Sequence, residues 1–114
     1  MPDRAVVRRG RLQPGSAAPD AGEQLVRLAA ARGAVVEQIL SGASTEVVRY
    51  LQAHDEWVVV LEGGARLELD GEVVELGPGD WVLLPGGVPH AVLGTQAGTS
   101  WLAVHVAAPP DAAS

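Results

Sequence analysis

The sequence contains no cysteine and no asparagine. Without cysteine, disulfides and thiolate metal sites are excluded, and the chain fits a reducing cytoplasm. No apolar run has the length of a signal-peptide core or of a membrane span. These absences predict a cytoplasmic protein without membrane contact, and its 114 residues suffice for one hydrophobic core but not for two.

Basic residues are few and are concentrated at the start of the chain. Residues 1 to 13 hold four arginines and one aspartate, whereas residues 14 to 114 hold four arginines and thirteen acids, so the net charge of −6 comes from the body of the protein. An acidic body repels phosphate backbones. We therefore expect no nucleic-acid partner.

Several enzyme signatures are also missing. The sequence has no Gly-x-Ser-x-Gly, no phosphate-binding loop and no dinucleotide fingerprint, and no serine has a neighbouring histidine. Histidines and carboxylates remain as the candidate site residues.

The N-terminal third predicts one short helix. Asp20 can cap it, with Glu23 three residues later as in a capping box, and Arg32 with Gly33 makes a plausible helix end. We expect residues 1–33 to form an arm, a linker and this helix.

From residue 34 onward, short β-rich runs alternate with glycine and proline. They predict eight strands, over residues 34–40, 46–52, 56–62, 65–69, 72–76, 81–84, 90–94 and 100–107. An all-β chain must close or stack its sheets to hide their edges, which indicates a sandwich or barrel over residues 34–107, followed by a disordered tail over residues 108–114.

One hairpin has a defined register. Asp70-Gly71 tolerates the positive φ angles of a type I′ turn. A two-residue loop there places Leu67 opposite Val74 on a buried face and Arg66 opposite Glu75 in solvent.

A polar row precedes the apolar run at residues 58–61. Tyr50, Gln52, His54 and Glu56 are two residues apart, so in an extended chain they share one face. If that face is inward, the row is a candidate site, because buried polar groups need partners. An outward register, or a loop near Ala53, remains the alternative.

The segment Gly79 to His90 carries the most specific pattern, Gly, five residues, Pro-x-Gly, two residues, His. It resembles the second motif of the cupins, although Gly94 stands where the family usually has asparagine. Glu56, followed by six residues and then Gly63, resembles the end of the first motif. The chain is also similar to small single-domain bacterial cupins in Tyr50-Leu51-Gln52, Glu56-Trp57, Leu61-Glu62-Gly63, Pro78-Gly79-Asp80 and the strand Trp101 to His105.

The resemblance implies an all-β cupin fold, a double-stranded β-helix or jelly-roll barrel, here with one short N-terminal helix outside it. Cupins hold a divalent metal with two histidines and a glutamate from the first motif and a histidine from the second. By that pattern Glu56 and His90 are ligand candidates. Tyr50 and Gln52 fall on the two histidine positions, or Arg49 and Leu51 in a register one residue earlier.

His54 and His105 are further ligand candidates, and Gln52 and Tyr50 are weak oxygen ligands or hydrogen-bond partners that orient the substrate. Imidazoles with a carboxylate suit Zn, Fe, Mn or Ni. Glu56 and Tyr50 are the candidate catalytic residues, with Tyr50 orienting substrate. Trp101, Ala103 and His105 are predicted to share one face of the last strand.

The barrel hosts dioxygenases, isomerases, lyases and sugar-binding modules, so the fold leaves function open. We expect a metal-dependent enzyme acting on a small polar metabolite. The alternatives are a small-ligand binding module without metal and a structural role in an assembly. A homodimer is expected, in which the strand-like run from Ala5 to Leu12 adds to a partner's sheet edge.

Overall fold

The computed structural model describes residues 6–107. In this part of the chain the regular elements are one 3₁₀ turn and nine strands, and no helix is long or apolar enough to cross a bilayer. The turn is Gly15–Ala17, and the strands are β1 (Glu23–Ala31), β2 (Ala34–Ser41), β3 (Val48–Tyr50), β4 (Asp55–Glu62), β5 (Ala65–Leu69), β6 (Glu72–Leu76), β7 (Trp81–Leu84), β8 (His90–Thr95) and β9 (Thr99–Val106).

The strands form two antiparallel sheets. One sheet has the order β1-β2-β9-β4-β7 and the other the order β3-β8-β5-β6. The core lies between them and combines residues of both, among them Val60 and Trp101 from the first sheet and Leu67 from the second. The predicted all-β architecture of two stacked sheets is confirmed, and each of the eight predicted strands is present within two residues at either end.

The predicted N-terminal helix is wrong. Residues 23–31 form β1, which pairs antiparallel with β2 from end to end, with one irregularity between Arg27 and Ala29. Alanine, leucine and glutamate favour helix locally, but the edge of β2 offers backbone partners that outweigh this preference. Arg32 and Gly33, which were expected to end a helix, have φ angles of 51° and 80° and form the two-residue turn between β1 and β2.

The strand β1 therefore adds to the sheet ahead of the predicted barrel start at residue 34. The rest of the predicted division into arm, barrel and tail stays a prediction, and residues 108–114 lie outside the described part of the chain. Residues 6 to 12 form no strand with this chain, so their predicted addition to a partner's sheet also stays a prediction.

The Asp70-Gly71 hairpin has the predicted register. Leu67 pairs with Val74 and Arg66 with Glu75. Both turn residues have positive φ, 49° and 86°. Leu67 is buried and Val74 packs against the core, whereas the Arg66 Nη2 atom lies 2.6 Å from Glu75 Oε1 on the exposed face.

Candidate functional site

A cavity of about 160 Å³ opens between the two sheets at one end of the barrel. Its floor is apolar, with side chains such as Val58 and Leu67, and its mouth is polar. The polar lining residues are Glu23, Glu37, Tyr50, Gln52, Glu56, His90 and His105. A concave, mostly apolar space with a few converging polar groups is the usual form of a small-molecule site.

The polar row of the sequence crosses from one sheet to the other. Tyr50 ends β3, Glu56 lies in β4, and the residues between them form an irregular loop. Tyr50, Gln52 and Glu56 line the cavity. His54 instead lines an adjoining surface groove, which Glu37 and His105 also border. The loop therefore breaks the predicted parity at His54 while keeping that side chain beside the cavity.

The Pro-x-Gly turn of the sequence motif fixes this loop. The Gly87 N–H donates to the Gln52 carbonyl at 2.8 Å, and the Gly86 N–H donates to the Asp55 carboxylate at 2.8 Å. A Cβ atom at Gly86 would lie 2.2 Å from the Ala53 carbonyl oxygen. Glycine at position 86 is thus required by the close approach of the loop that carries Gln52 and His54.

Two histidines and a glutamate converge at the mouth. His54, Glu56 and His105 each place a ligand-type atom within 4.8 Å of the others'. His54 Nε2 lies 2.9 Å from His105 Nδ1, which is 4.0 Å from Glu56 Oε1. Their placement follows from pairing, because Glu56 is directly opposite His105 in the β4–β9 ladder.

The opposite wall carries Tyr50 and His90, which pair across β3 and β8. Their rings stack with centroids 5.3 Å apart and planes 15° apart. His90 Nδ1 is buried without a hydrogen-bond partner among the described residues. Burial, with added repulsion from Glu23 and Glu56, raises the pKa of the Tyr50 hydroxyl, which therefore stays protonated at neutral pH and able to donate.

Sequence reasoning missed two carboxylates of the site, Glu23 and Glu37. Glu23 was assigned to a helix cap. Glu37 could have been predicted as a site residue from the sequence. It stands within the largely apolar segment from Val35 to Leu40, and a charged residue at an inward position of a core strand must have a partner.

These features define a class, the small β-barrel proteins with a cavity between two antiparallel sheets. A family model described as "Cupin domain" matches residues 35–105. A protein of Ralstonia eutropha JMP134, described as a candidate mannose-6-phosphate isomerase, is 33% identical with a TM-score of 0.72, over 87% of this chain and 100% of that one. The chain belongs to the cupin family.

Other similar proteins are more distant. KdgF from Halomonas sp. is 20% identical, with a TM-score of 0.69 over 80% of this chain and 84% of that one. An RmlC-like cupin from Shewanella frigidimarina NCIMB 400 is 19% identical, with a TM-score of 0.69 over 90% of this chain and 96% of that one. Both show the fold alone. An uncharacterized protein of Aquifex aeolicus (strain VF5) is 40% identical over 47 residues, 41% of this chain, and the match spans only 39% of that relative's length.

The family implies a divalent metal, and the usual ligand positions here fit it poorly. Tyr50 keeps its proton, and the Gln52 side-chain amide donates to Glu56 at 2.9 Å. His54, Glu56 and His105 fit better, since two imidazoles and one carboxylate form the donor set of catalytic zinc sites and of non-haem iron sites with open positions. Ligands at about 2.1 Å around a tetrahedral ion lie about 3.4 Å apart. The two histidine nitrogens, at 2.9 Å, are closer than this, and His105 Nδ1 and Glu56 Oε1, at 4.0 Å, are farther apart, so small side-chain shifts would bring all three to an ion.

Proposed function

We propose that this cupin is a metal-dependent enzyme acting on a small polar metabolite, by isomerase, lyase or dioxygenase chemistry. The observation that carries the proposal is the convergence of His54, Glu56 and His105 beside the cavity between the sheets. When bound there, a divalent ion of Zn, Fe, Mn or Ni supplies Lewis-acid or oxygen chemistry at positions open to the cavity.

The other polar side chains have separate tasks in this proposal. Gln52 orients Glu56 through its amide hydrogen bond. Tyr50 keeps its proton and donates a hydrogen bond to the ligand. His90 is a metal ligand in the family's usual pattern but not in this proposal. It stacks on Tyr50, and the two rings form the wall that contacts the organic part of the bound metabolite.

Cavity size and charge restrict the ligand. The volume of about 160 Å³ is below the range of about 300 to 1,000 Å³ typical of drug-sized ligands. Three carboxylates and no arginine are among the described residues that line it, and a divalent ion would offset two of these negative charges. We therefore propose an uncharged or cationic metabolite, unlike the phosphorylated sugar in the description of the Ralstonia protein.

The second candidate function is a small-ligand binding module without metal. Two observations favour it, namely that Tyr50 and Gln52 occupy the family's histidine positions and that the two histidines at the mouth bond to each other at 2.9 Å. Metal content separates the two functions.

The experiment is elemental analysis of protein purified without a metal-binding tag. We expect about one ion per chain in the wild type, loss of the ion in His105→Ala and retention in the matched variant His90→Ala. If His90→Ala instead loses the ion and His105→Ala retains it, the metal binds at the family's usual position. A wild type that stays metal-free after incubation with Zn²⁺, Fe²⁺, Mn²⁺ and Ni²⁺ would contradict the metal-dependent function. The binding module without metal would then be the remaining candidate.

A homodimer belongs to the same proposal. It is supported by the outer face of the five-stranded sheet, where Trp81 and Leu83 are 59% and 57% exposed beside Trp57. Light scattering at micromolar concentration that returned a mass near 11.8 kDa would contradict it. The cytoplasmic location and the lack of a nucleic-acid partner remain parts of the proposal as well.

A further inference from the structure

Glu37 is a charged side chain on the inner face of β2, and it has one close polar partner in the site. Its side chain is 17% exposed, and its Oε1 atom lies 2.8 Å from His105 Nε2. Glu37 is opposite Ala103 in the β2–β9 ladder, two residues from His105. Because Ala103 is small and fully buried, the Glu37 side chain can cross diagonally to the imidazole.

This contact decides which nitrogen of His105 carries the proton. An ionised carboxylate only accepts hydrogen bonds, so the nitrogen that faces Glu37 must be the donor. In the neutral ring the other nitrogen, Nδ1, then carries the lone pair. That atom faces His54 Nε2 and Glu56 Oε1, which is the place proposed above for the metal.

We propose that Glu37 is a positioning residue that holds His105 in the Nε2–H tautomer and aims Nδ1 at the metal. The proposal rests on the proposed metal function for its role, but the tautomer is a property of the metal-free protein. Carboxylates that orient a metal-binding imidazole in this way raise the basicity of the ligand and fix the plane of its ring.

The same contact fixes the hydrogen bond between the two histidines. If His105 Nδ1 is the acceptor, His54 Nε2 must donate across the 2.9 Å separation. Before a metal binds, His54 has to give up that Nε2 proton to water and take one at Nδ1. The ring charge is unchanged by this exchange, and both lone pairs then face the ion.

The first test needs no metal. Nitrogen-15 NMR of the histidine rings distinguishes a protonated from an unprotonated nitrogen, and with three histidines in the chain the signals are assigned by His54→Ala and His90→Ala. We expect wild-type His105 to be protonated at Nε2 and Glu37→Ala to show a mixture of tautomers. An unchanged Nε2–H tautomer in Glu37→Ala would overturn the proposal.

The second test measures Zn²⁺ affinity by competition with a chromophoric chelator. We expect Glu37→Gln to bind Zn²⁺ about 10- to 100-fold more weakly than the wild type, as for other residues that orient metal ligands. The matched control is Glu23→Gln, because Glu23 lines the same cavity but bonds to Ser41 instead of a histidine.

The outcomes separate the two proposals. Equal weakening by Glu23→Gln and Glu37→Gln would show a general effect of cavity charge and overturn the positioning role. A wild type with the Nε2–H tautomer but no Zn²⁺ binding would remove the metal function while leaving the effect of Glu37 on His105. Unchanged affinity in Glu37→Gln beside a zinc-binding wild type would overturn the positioning role alone.

Discussion

The two sheets of the barrel share a core but differ on their outer faces. On the four-stranded sheet the outward side chains include the ion pairs Arg66–Glu75 and Arg49–Glu68. On the five-stranded sheet six outward positions of β7, β4 and β9 are apolar, with Trp57 between Leu83 and Val104, and Val59 between Trp81 and Leu102. A sheet with one solvated face normally alternates apolar and polar residues. The five-stranded sheet therefore has the composition of a sheet covered on both sides.

The inner faces differ as well. The five-stranded sheet supplies Glu37, Glu56 and His105, the groups that can bind or orient a cation. The four-stranded sheet supplies Tyr50 and His90, which are stacked aromatic rings. The cavity thus has one ionic and one aromatic wall, and the loop at residues 51–54 joins them.

The largest expected effect compares an inner with an outer leucine. Leu67 is 2% exposed. Its replacement by alanine should lower the unfolding free energy by about 2 to 5 kcal/mol, because a cavity remains. Leu83→Ala, on the outer face of the other sheet, should cost about 0.5 kcal/mol or less in a monomer. Urea unfolding at low protein concentration measures both. A cost for Leu83→Ala that matches Leu67→Ala and grows with concentration would mean that a partner covers this face.

The next effect concerns the ionic wall. Gly86→Ala should displace the loop that carries His54 and weaken Zn²⁺ binding by at least about tenfold, because the added Cβ meets the Ala53 carbonyl oxygen at 2.2 Å. The control is Gly10→Ala, where a Cβ meets nothing within 4 Å. Wild-type affinity in Gly86→Ala would show that the loop adapts and that the turn does not fix the site.

A smaller effect concerns the aromatic wall. Tyr50 is the one tyrosine of the chain, so absorbance during alkaline titration reports its hydroxyl alone. Its pKa is raised above 10.0 by burial first, then by Glu23 and Glu56. Glu23→Gln and Glu56→Gln should each lower the pKa of Tyr50 without restoring the ordinary value, because burial remains. A rise in either variant would contradict the assigned cause.

The raised pKa of Tyr50 also determines how the unfolding free energy depends on pH. Below pH 10 both the folded and the unfolded protein hold the Tyr50 proton, so this group gives no pH dependence there. Above pH 10 the unfolded chain releases the proton first, and the contribution of Tyr50 to the unfolding free energy falls as the pH rises. Tyr50→Phe should remove this contribution, as measured by urea unfolding between pH 9 and pH 11.

The smallest effect belongs to the charged outer face. Arg66→Ala should change the unfolding free energy by about 0.5 kcal/mol or less, because an exposed ion pair is screened by water and salt. The Arg66 and Glu75 side chains are 59% and 71% exposed. A loss above about 1 kcal/mol would mean that this face is less solvated than its composition indicates.

The strands of the barrel could be predicted from the sequence because local signals agreed with the fold. Asp70-Gly71 specifies its hairpin by backbone preference alone, and the alternation of Leu67 and Glu68 fits only one register. The first strand could not be predicted in the same way. Residues 23–31 favour helix locally, and only the distant edge of β2 makes them extended.

The candidate site was partly predictable for a related reason. Glu56, His90 and His105 lie in strands whose parity the sequence shows, so their inward direction could be read from spacing. His54 lies in a loop held by Gly86 and Gly87, and such a contact across 30 residues leaves no periodic signal. The bond between Glu37 and His105 depends on strand order, since β2 and β9 become neighbours only in the folded sheet.

The position of β9 bears on how the protein is made in the cell. This strand lies between β2 and β4 in the sheet, yet the ribosome synthesises it after the other eight. Until it emerges, the two strands that flank it have exposed edges and the nascent chain lacks His105, so neither the barrel nor the ionic wall can form. The barrel must therefore close after β9 has left the ribosome, and the nascent chain passes through a stage in which bare strand edges invite association with other chains or recognition by chaperones.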